Sequence, residues 1–228
     1  MSILTMPNQS FRWLFAELIV VVLGVLIALG TSSWYEDSQR RHEEREILSQ
    51  FRETLEIEVL RLKNRLASIG YDKEELVDLL ATFDSSDVFP QKSSKGIEAL
   101  KSYRAQQFNF SVYEVLKSKG FDLISNEDIR LRIVNFYEIA YPAVRGMMES
   151  ERLYVRDRID FLTNTEFVVS DDGGLNWTPK SYDSLRVNVE FRNLAILKIQ
   201  RLELYEEVGM RRAIDWGEEI LNLLDQEI

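Results

Sequence analysis

The sequence predicts an all-α protein: an N-terminal transmembrane helix continuing into a stalk, then an antiparallel helical bundle with one small β-hairpin. Three observations predict it. Twelve successive uncharged residues run from Leu18 to Leu29. Beyond residue 46, apolar residues recur at spacings of three and four over long stretches, the mark of one buried helix face. Only one short stretch, around Asp172-Gly173, alternates β-favouring residues with a tight-turn pair.

Composition narrows the function classes. The 228 residues allow one domain with an appendage, and 45% hydrophobic with 11% aromatic residues supply a real core. Cysteine is absent and His42 is the single histidine. Zinc fingers, thiol catalysis, disulfide frameworks and histidine metal cages are therefore excluded on count. A net charge of -10 opposes the counterion release that drives nucleic-acid binding, so nucleic acid is not the expected partner. No glycine-rich phosphate loop and no Glu-x-x-His pair occurs. No cofactor or metal is expected, and no catalytic residue is assigned.

The first element is residues 1–34, the N-terminal tail and span. Trp13 and Trp34 bracket 22 residues, about 33 Å of helix, close to the ~30 Å hydrocarbon thickness. Tryptophan at both ends suits the membrane interfaces. The rival reading is a cleaved secretory signal, because Arg12 precedes an apolar run ending in Ala28-Leu29-Gly30. Glu17 is the one ionisable residue inside the span, and intramembrane carboxylates are functional hypotheses by default. Glu17, Gly24, Ala28 and Thr31 lie near one helix face, and small residues four apart let two helices approach closely in lipid. The plain alternative is that Glu17 reaches the headgroups and the glycine is incidental. Four basic residues follow the span within twenty positions (Arg40, Arg41, Arg45, Arg52) against Arg12 before it. That count favours a cytoplasmic C-terminal domain, but the rule weakens for long domains.

Residues 35–46 carry polar groups on every face and predict a solvated helical spacer, His42 included. The bundle domain, 47–228, follows. Leu48, Phe51, Leu55, Val59, Leu62, Leu66 and Ile69 form one apolar face, serving either the core or another protomer. Gly70 offers a stop, with Asp72 capping a further short helix through Phe83. Asp84 to Lys95 reads as a surface loop. Ser111 opens an eight-residue helix by a capping box, and Gly120 closes it. Ser125 and Asp128 repeat the box ahead of a longer helix carrying Ile129, Ile133, Phe136 and Ala140, with a kink expected at Pro142. Val144, Met148, Val155, Ile159 and Leu162 continue the pattern, and a last helix spans Asp183 to Gln226. Between these two long helices, Phe167–Val169 and Leu175–Trp177 flank the hairpin turn. Asp171 and Asp172 could bind calcium there, without the spaced ligands of a calcium loop. Ser170, Asp172, Gly174 and Trp177 match a single Asp box, which is taken as hairpin chemistry because propellers repeat it in every blade. The basic run Arg145, Arg152, Arg156 and Arg158 alternates with acids as a solvated face does.

Glu17 to Leu29 followed by Trp34-Tyr35-Glu36 resembles the N-terminal signature of an uncharacterised family of small bacterial single-pass membrane proteins. Tyr113 to Gly120, Leu123 to Asn126 and Arg130 to Tyr137 are similar to that family's second recurring block. The family is labelled only as a domain of unknown function, so the resemblance implies a bacterial inner-membrane anchor and a helical domain but no activity. A basic N-terminal stretch, usual in the family, implies a periplasmic domain; here it is reduced to Arg12, and Ser33 replaces the usual asparagine before the tryptophan.

The functional expectation is a non-enzymatic, membrane-anchored helical interaction or scaffold protein. Its partners would be the lipid bilayer and either itself, as a homo-oligomer, or a membrane protein complex. The alternatives are an ion-coupled membrane component using Glu17 and a periplasmic ligand-sensing domain.

Overall fold

A computed structural model describes residues 8–103, 108–170 and 176–228. The chain is helical, with a long apolar N-terminal helix, a helical bundle and a two-stranded antiparallel hairpin. It divides into two compact units, Met1–Ile47 and Leu48–Ile228.

In the first unit, helix α1 (Asn8–Ser85) begins and carries the apolar run. It is the one helix among the described residues long and apolar enough to cross a membrane. Residues 35–46 are helical and mainly exposed, as His42 is, while Glu43 and Glu44 are half-buried.

In the second unit, α1 supplies the spine of the core. Leu48, Phe51, Leu55, Leu62, Ile69, Leu76 and Leu79 are each at most 1% exposed, and Val59 is 4% exposed. Leu66 is half-buried. The expected stop at Gly70 does not occur. Leu76, Leu79 and Phe83 prolong the buried stripe, so packing carries the helix past the glycine, and Asp72 accepts from the Ser102 hydroxyl at 2.8 Å instead of capping a new helix. The loop after it is also shorter than expected. A 3₁₀ turn at Gln91–Ser93 leads into α2 (Ser94–Lys101), whose Ile97, Ala99 and Leu100 are buried.

Helix α3 (Ser111–Lys119) ends at Gly120, whose φ of 99° only glycine adopts without strain. Its N-terminus differs from the predicted box: Ser111 lies inside the helix, and Asn109 Oδ1 accepts from its backbone N–H at 3.0 Å. In α4 (Glu127–Asn135) the cap is Asn126 and not Ser125, accepting from the amides of Asp128 and Ile129. A π turn, Phe136–Ala140, then joins α4 to α5 (Tyr141–Tyr154). The irregularity expected at Pro142 thus sits one turn earlier. Tyr141 N–H donates to Phe136 O across the wider turn, and the helix runs on through the proline. A second π turn, Val155–Ile159, leads to α6 (Asp160–Glu166).

Strands β1 (Phe167–Ser170) and β2 (Asn176–Pro179) pair with Val168 opposite Thr178 and Val169 opposite Trp177. The second strand therefore extends two residues beyond the predicted segment, and the turn with Asp171, Asp172, Gly173 and Gly174 lies outside the described residues. The single last helix predicted from Asp183 is three pieces. Helix α7 (Tyr182–Arg186) stops before Asn188, whose side chain caps α8 (Val189–Arg201) by accepting from Phe191 N–H. A π turn, Leu202–Glu207, precedes α9 (Val208–Glu227). Helix α9 lies so close to α1 that a Cβ at Gly217 would stand 2.5 Å from Val59 Cγ2.

Candidate functional site

The span residues come first. From Leu18 to Leu29 every large apolar side chain is 47–69% exposed, the exposure of a helix with nothing against it. Glu17, Gly24, Ala28 and Thr31 are all exposed. At helical spacing they share a face, and at Gly24 a Cβ would meet nothing within 4 Å. The Thr31 hydroxyl donates to its own helix, to Ala28 O at 2.9 Å and Ile27 O at 3.0 Å. Bound in this way, it needs no water and tolerates hydrocarbon.

The second predicted face has a different fate. Leu48, Phe51, Leu55, Val59 and Leu62 are buried against the chain's own bundle, with Phe51 edge-on to Tyr137 at 5.9 Å. Those five residues are core, and Leu66, half-buried, is the member of the predicted face left partly open.

Of the charged residues buried in the bundle (Glu58, Arg65, Asp72, Glu151 and Lys198), none belongs to the predicted site, and Glu58, Glu151 and Lys198 anchor its interior charge contacts. Glu58 is 1% exposed; its Oε1 accepts from Arg61 Nη1 at 2.7 Å and its Oε2 from the Tyr141 hydroxyl at 3.3 Å. Around them lies an aromatic cluster, with Tyr141 at 4.4 Å from both Phe108 and Phe136 and Tyr113 stacked on Tyr137 at 4.7 Å. Burial, then the Glu58 carboxylate, pushes the Tyr137 and Tyr141 hydroxyls well above the ordinary tyrosine value. For Tyr113 the cause is burial, then the hydrogen bond to Glu138. These hydroxyls stay protonated across the physiological range, which suits hydrogen bonding and not base chemistry.

Glu151 and Lys198 form the second centre. Lys198, fully buried on α8, donates to Glu151 Oε1 at 2.5 Å and to Ser102 O at 3.0 Å. Arg201 Nε completes the carboxylate at 2.7 Å, and its guanidinium lies 4.5 Å over the Tyr154 ring. With every oxygen of Glu151 engaged, the cluster ties α5 to α8 and holds no free base or nucleophile.

A third tie secures the hairpin. Ser94 Oγ donates to Trp177 O at 3.1 Å and accepts from Trp177 N–H at 3.3 Å. The Lys101 ammonium stands 4.5 Å over the Trp177 ring and pairs with Asp160 at 3.1 Å.

Two surface hollows are lined without the buried charges. One of about 370 Å³ lies between α4 and α9, lined by Leu131, Asn135, Trp216 and an Arg132 that pairs with Asp128 and Glu219. Another, about 430 Å³, is lined by Tyr103, Phe108, Arg145, Met148 and Glu149. Neither includes Glu58, Glu151 or Lys198. Among the described residues no group of three or more acidic or histidine side chains is placed to hold a metal. The proposed calcium ligands, Asp171 and Asp172, fall outside the described residues.

The missed charges left a sequence signal. Glu58 falls between Leu55 and Leu62, Glu151 between Met148 and Val155, and Lys198 between Ala195 and Leu202, each on an apolar stripe. A charge on a buried stripe marks an interior ion pair. Comparison with protein-family models, with curated proteins and with solved structures finds no match to this chain.

Proposed function

We propose that the protein is a membrane-anchored helical interaction module, inserted in the bacterial inner membrane through Trp13–Trp34. Its bundle lies in the periplasm, and it self-associates or serves as an accessory subunit of a membrane complex. The observation that carries this reading is the uncovered apolar run Leu18–Leu29, in a helix that satisfies its own backbone groups and leaves only side chains to be covered. Such a surface is stable in hydrocarbon and against another helix, and unstable in water. Gly24 and Ala28, with Glu17 on the same face, are the proposed contact within the lipid.

The test is extraction. The full chain should remain in the membrane pellet at alkaline carbonate and show an intact mass of 26.7 kDa. A mature chain beginning at Thr31 would replace this reading with a cleaved signal. Gly24→Leu should lower the oligomer fraction in detergent, and Glu17→Gln should leave it intact. Proton or sodium flux abolished by Glu17→Gln, with the oligomer unchanged, would establish the ion-coupled alternative instead.

A further inference from the structure

On α1, the face opposite the core carries Ile57, Leu60, Asn64, Ala67 and Tyr71, spaced by three, four, three and four. That is a two-heptad seam. At about 100° per residue it lies half a turn away from the buried Leu55, Leu62 and Ile69. All five residues are exposed, Ile57 by 47%, Leu60 by 58% and Tyr71 by 47%. We infer that two copies of this chain associate through this face as a parallel, in-register helix pair. The inference rests on the membrane-anchored, self-associating reading above and names the partner as a second copy.

The residue types select that arrangement. A β-branched residue at the first seam position with leucine at the next favours two parallel strands, and a single asparagine at a seam position sets register. In register, Asn64 meets the other copy's amide; shifted by one heptad, it would face an apolar side chain. In a parallel pair the residue before one seam position faces, across the seam, the residue five later in the other copy. Those residues are Glu56 and Arg61, of opposite sign. Each has a partner on its own helix, Arg52 at 3.0 Å and Glu58 at 2.7 Å, yet remains 48% and 51% exposed and able to reach across. Antiparallel pairing loses the asparagine match, setting Asn64 against Leu60 or Ala67, and the register that opposes Leu60 also brings the like charges of Arg61 and Lys63 toward their own copies. The next seam positions outward, Glu53 on one side and Glu74 and Asp78 on the other, would oppose identical charges, which limits the contact to residues 57–71.

Two heptads do not assemble from unfolded peptides. Here the core already holds the helix, so no nucleation cost is due, and anchoring in one membrane raises the effective concentration of the second copy.

The natural absence of cysteine makes the test clean. Single variants Leu60→Cys and Ala67→Cys, with Val189→Cys on exposed α8 as control, are expressed as full chains and oxidised in native membranes with copper phenanthroline. Disulfides form only where Cβ atoms approach to about 4 Å, so dimers should appear at 60 and 67 at least about tenfold faster than at 189. Glu56→Arg in the Leu60→Cys background should slow the reaction, because it sets like charges at 56 and 61 of the two copies against each other. Cross-linking at 60 and 67 no faster than at 189 overturns the inference. So does preferential linkage of Ile57→Cys chains to Ala67→Cys chains, the antiparallel signature, or capture of a different protein. Gly24→Cys in the same membranes separates the two failures: cross-linking there without any at 60 or 67 leaves self-association standing and removes this face, whereas none at either place removes both.

Discussion

Replacing Gly96 by alanine sets two opposed effects against each other, and the structure decides the sign. In an unconstrained helix the exchange stabilises by about 1 kcal/mol, because glycine loses more backbone freedom on folding. At Gly96, however, the added Cβ would lie 2.6 Å from Leu79 Cβ and 2.7 Å from Glu75 O. Neither atom can be cleared by a rotamer change, since one is backbone and the other is fixed to it. Helix α2 would have to withdraw from α1 by about 0.8 Å to reach ordinary contact at 3.4 Å. That withdrawal disturbs the buried Ile97 and Leu100 and the paired Ser94–Trp177 hydrogen bonds that hold the hairpin. Overpacking of this kind costs ~1–3 kcal/mol, and rigid obstacles place it near the top of that range. The net loss is about 2 kcal/mol, or a fall of about 4–8 °C in Tm for a domain of this size. The control is Gly146→Ala, where a Cβ meets nothing within 4 Å and only the helical gain remains. Thermal unfolding of the full chain in detergent, followed by circular dichroism at 222 nm, should lower Tm for Gly96→Ala and raise it by about 2–4 °C for Gly146→Ala. A Gly96→Ala chain at or above the wild-type Tm would refute the close crossing of α2 and α1.

Three further outcomes are expected. Lys198→Met leaves Glu151 buried with only Arg201, and urea unfolding should show a loss of about 3 kcal/mol at unchanged m. Adding Glu151→Leu should recover much of it, because no buried carboxylate is then left short of a partner. The raised values of Tyr113, Tyr137 and Tyr141 mean that their contribution to stability is intact below the unfolded tyrosine value of about 10 and is lost as pH rises beyond it. Absorbance at 295 nm should therefore show the buried tyrosines ionising together with loss of helicity and not before it. Chelator should leave Tm unchanged, and a rise of several degrees on adding calcium would assign a site to the Asp171-Asp172 turn.

Periodicity and count determined a good deal on their own. The uncharged run Leu18–Leu29 is legible because lipid compatibility is a property of composition along one helix, independent of what else the chain does. The buried stripe from Leu48 to Ile69 is legible for a similar reason, since spacing alone puts those side chains on one face. Glycine at 120 ends a helix because a positive φ is a local demand. Tertiary structure decided whatever depends on a second element. Gly70 does not stop α1, because Leu76, Leu79 and Phe83 find the same core and their burial outweighs one glycine. Asn126 displaces Ser125, and Asn188 divides the last helix, because either cap is locally permissible and packing of the flanking turns selects one. Pro142 is absorbed by a π turn one turn earlier. Glu58, Glu151 and Lys198 were visible as charges on apolar stripes, but their partners Tyr141, Ser102 and Arg201 lie on other turns or other elements. The face Leu48–Leu66 could equally have served a core or a protomer, since an apolar stripe records that something must cover it and not what does. Only the packed bundle assigns that stripe to the core and leaves the opposite face, Ile57 to Tyr71, open.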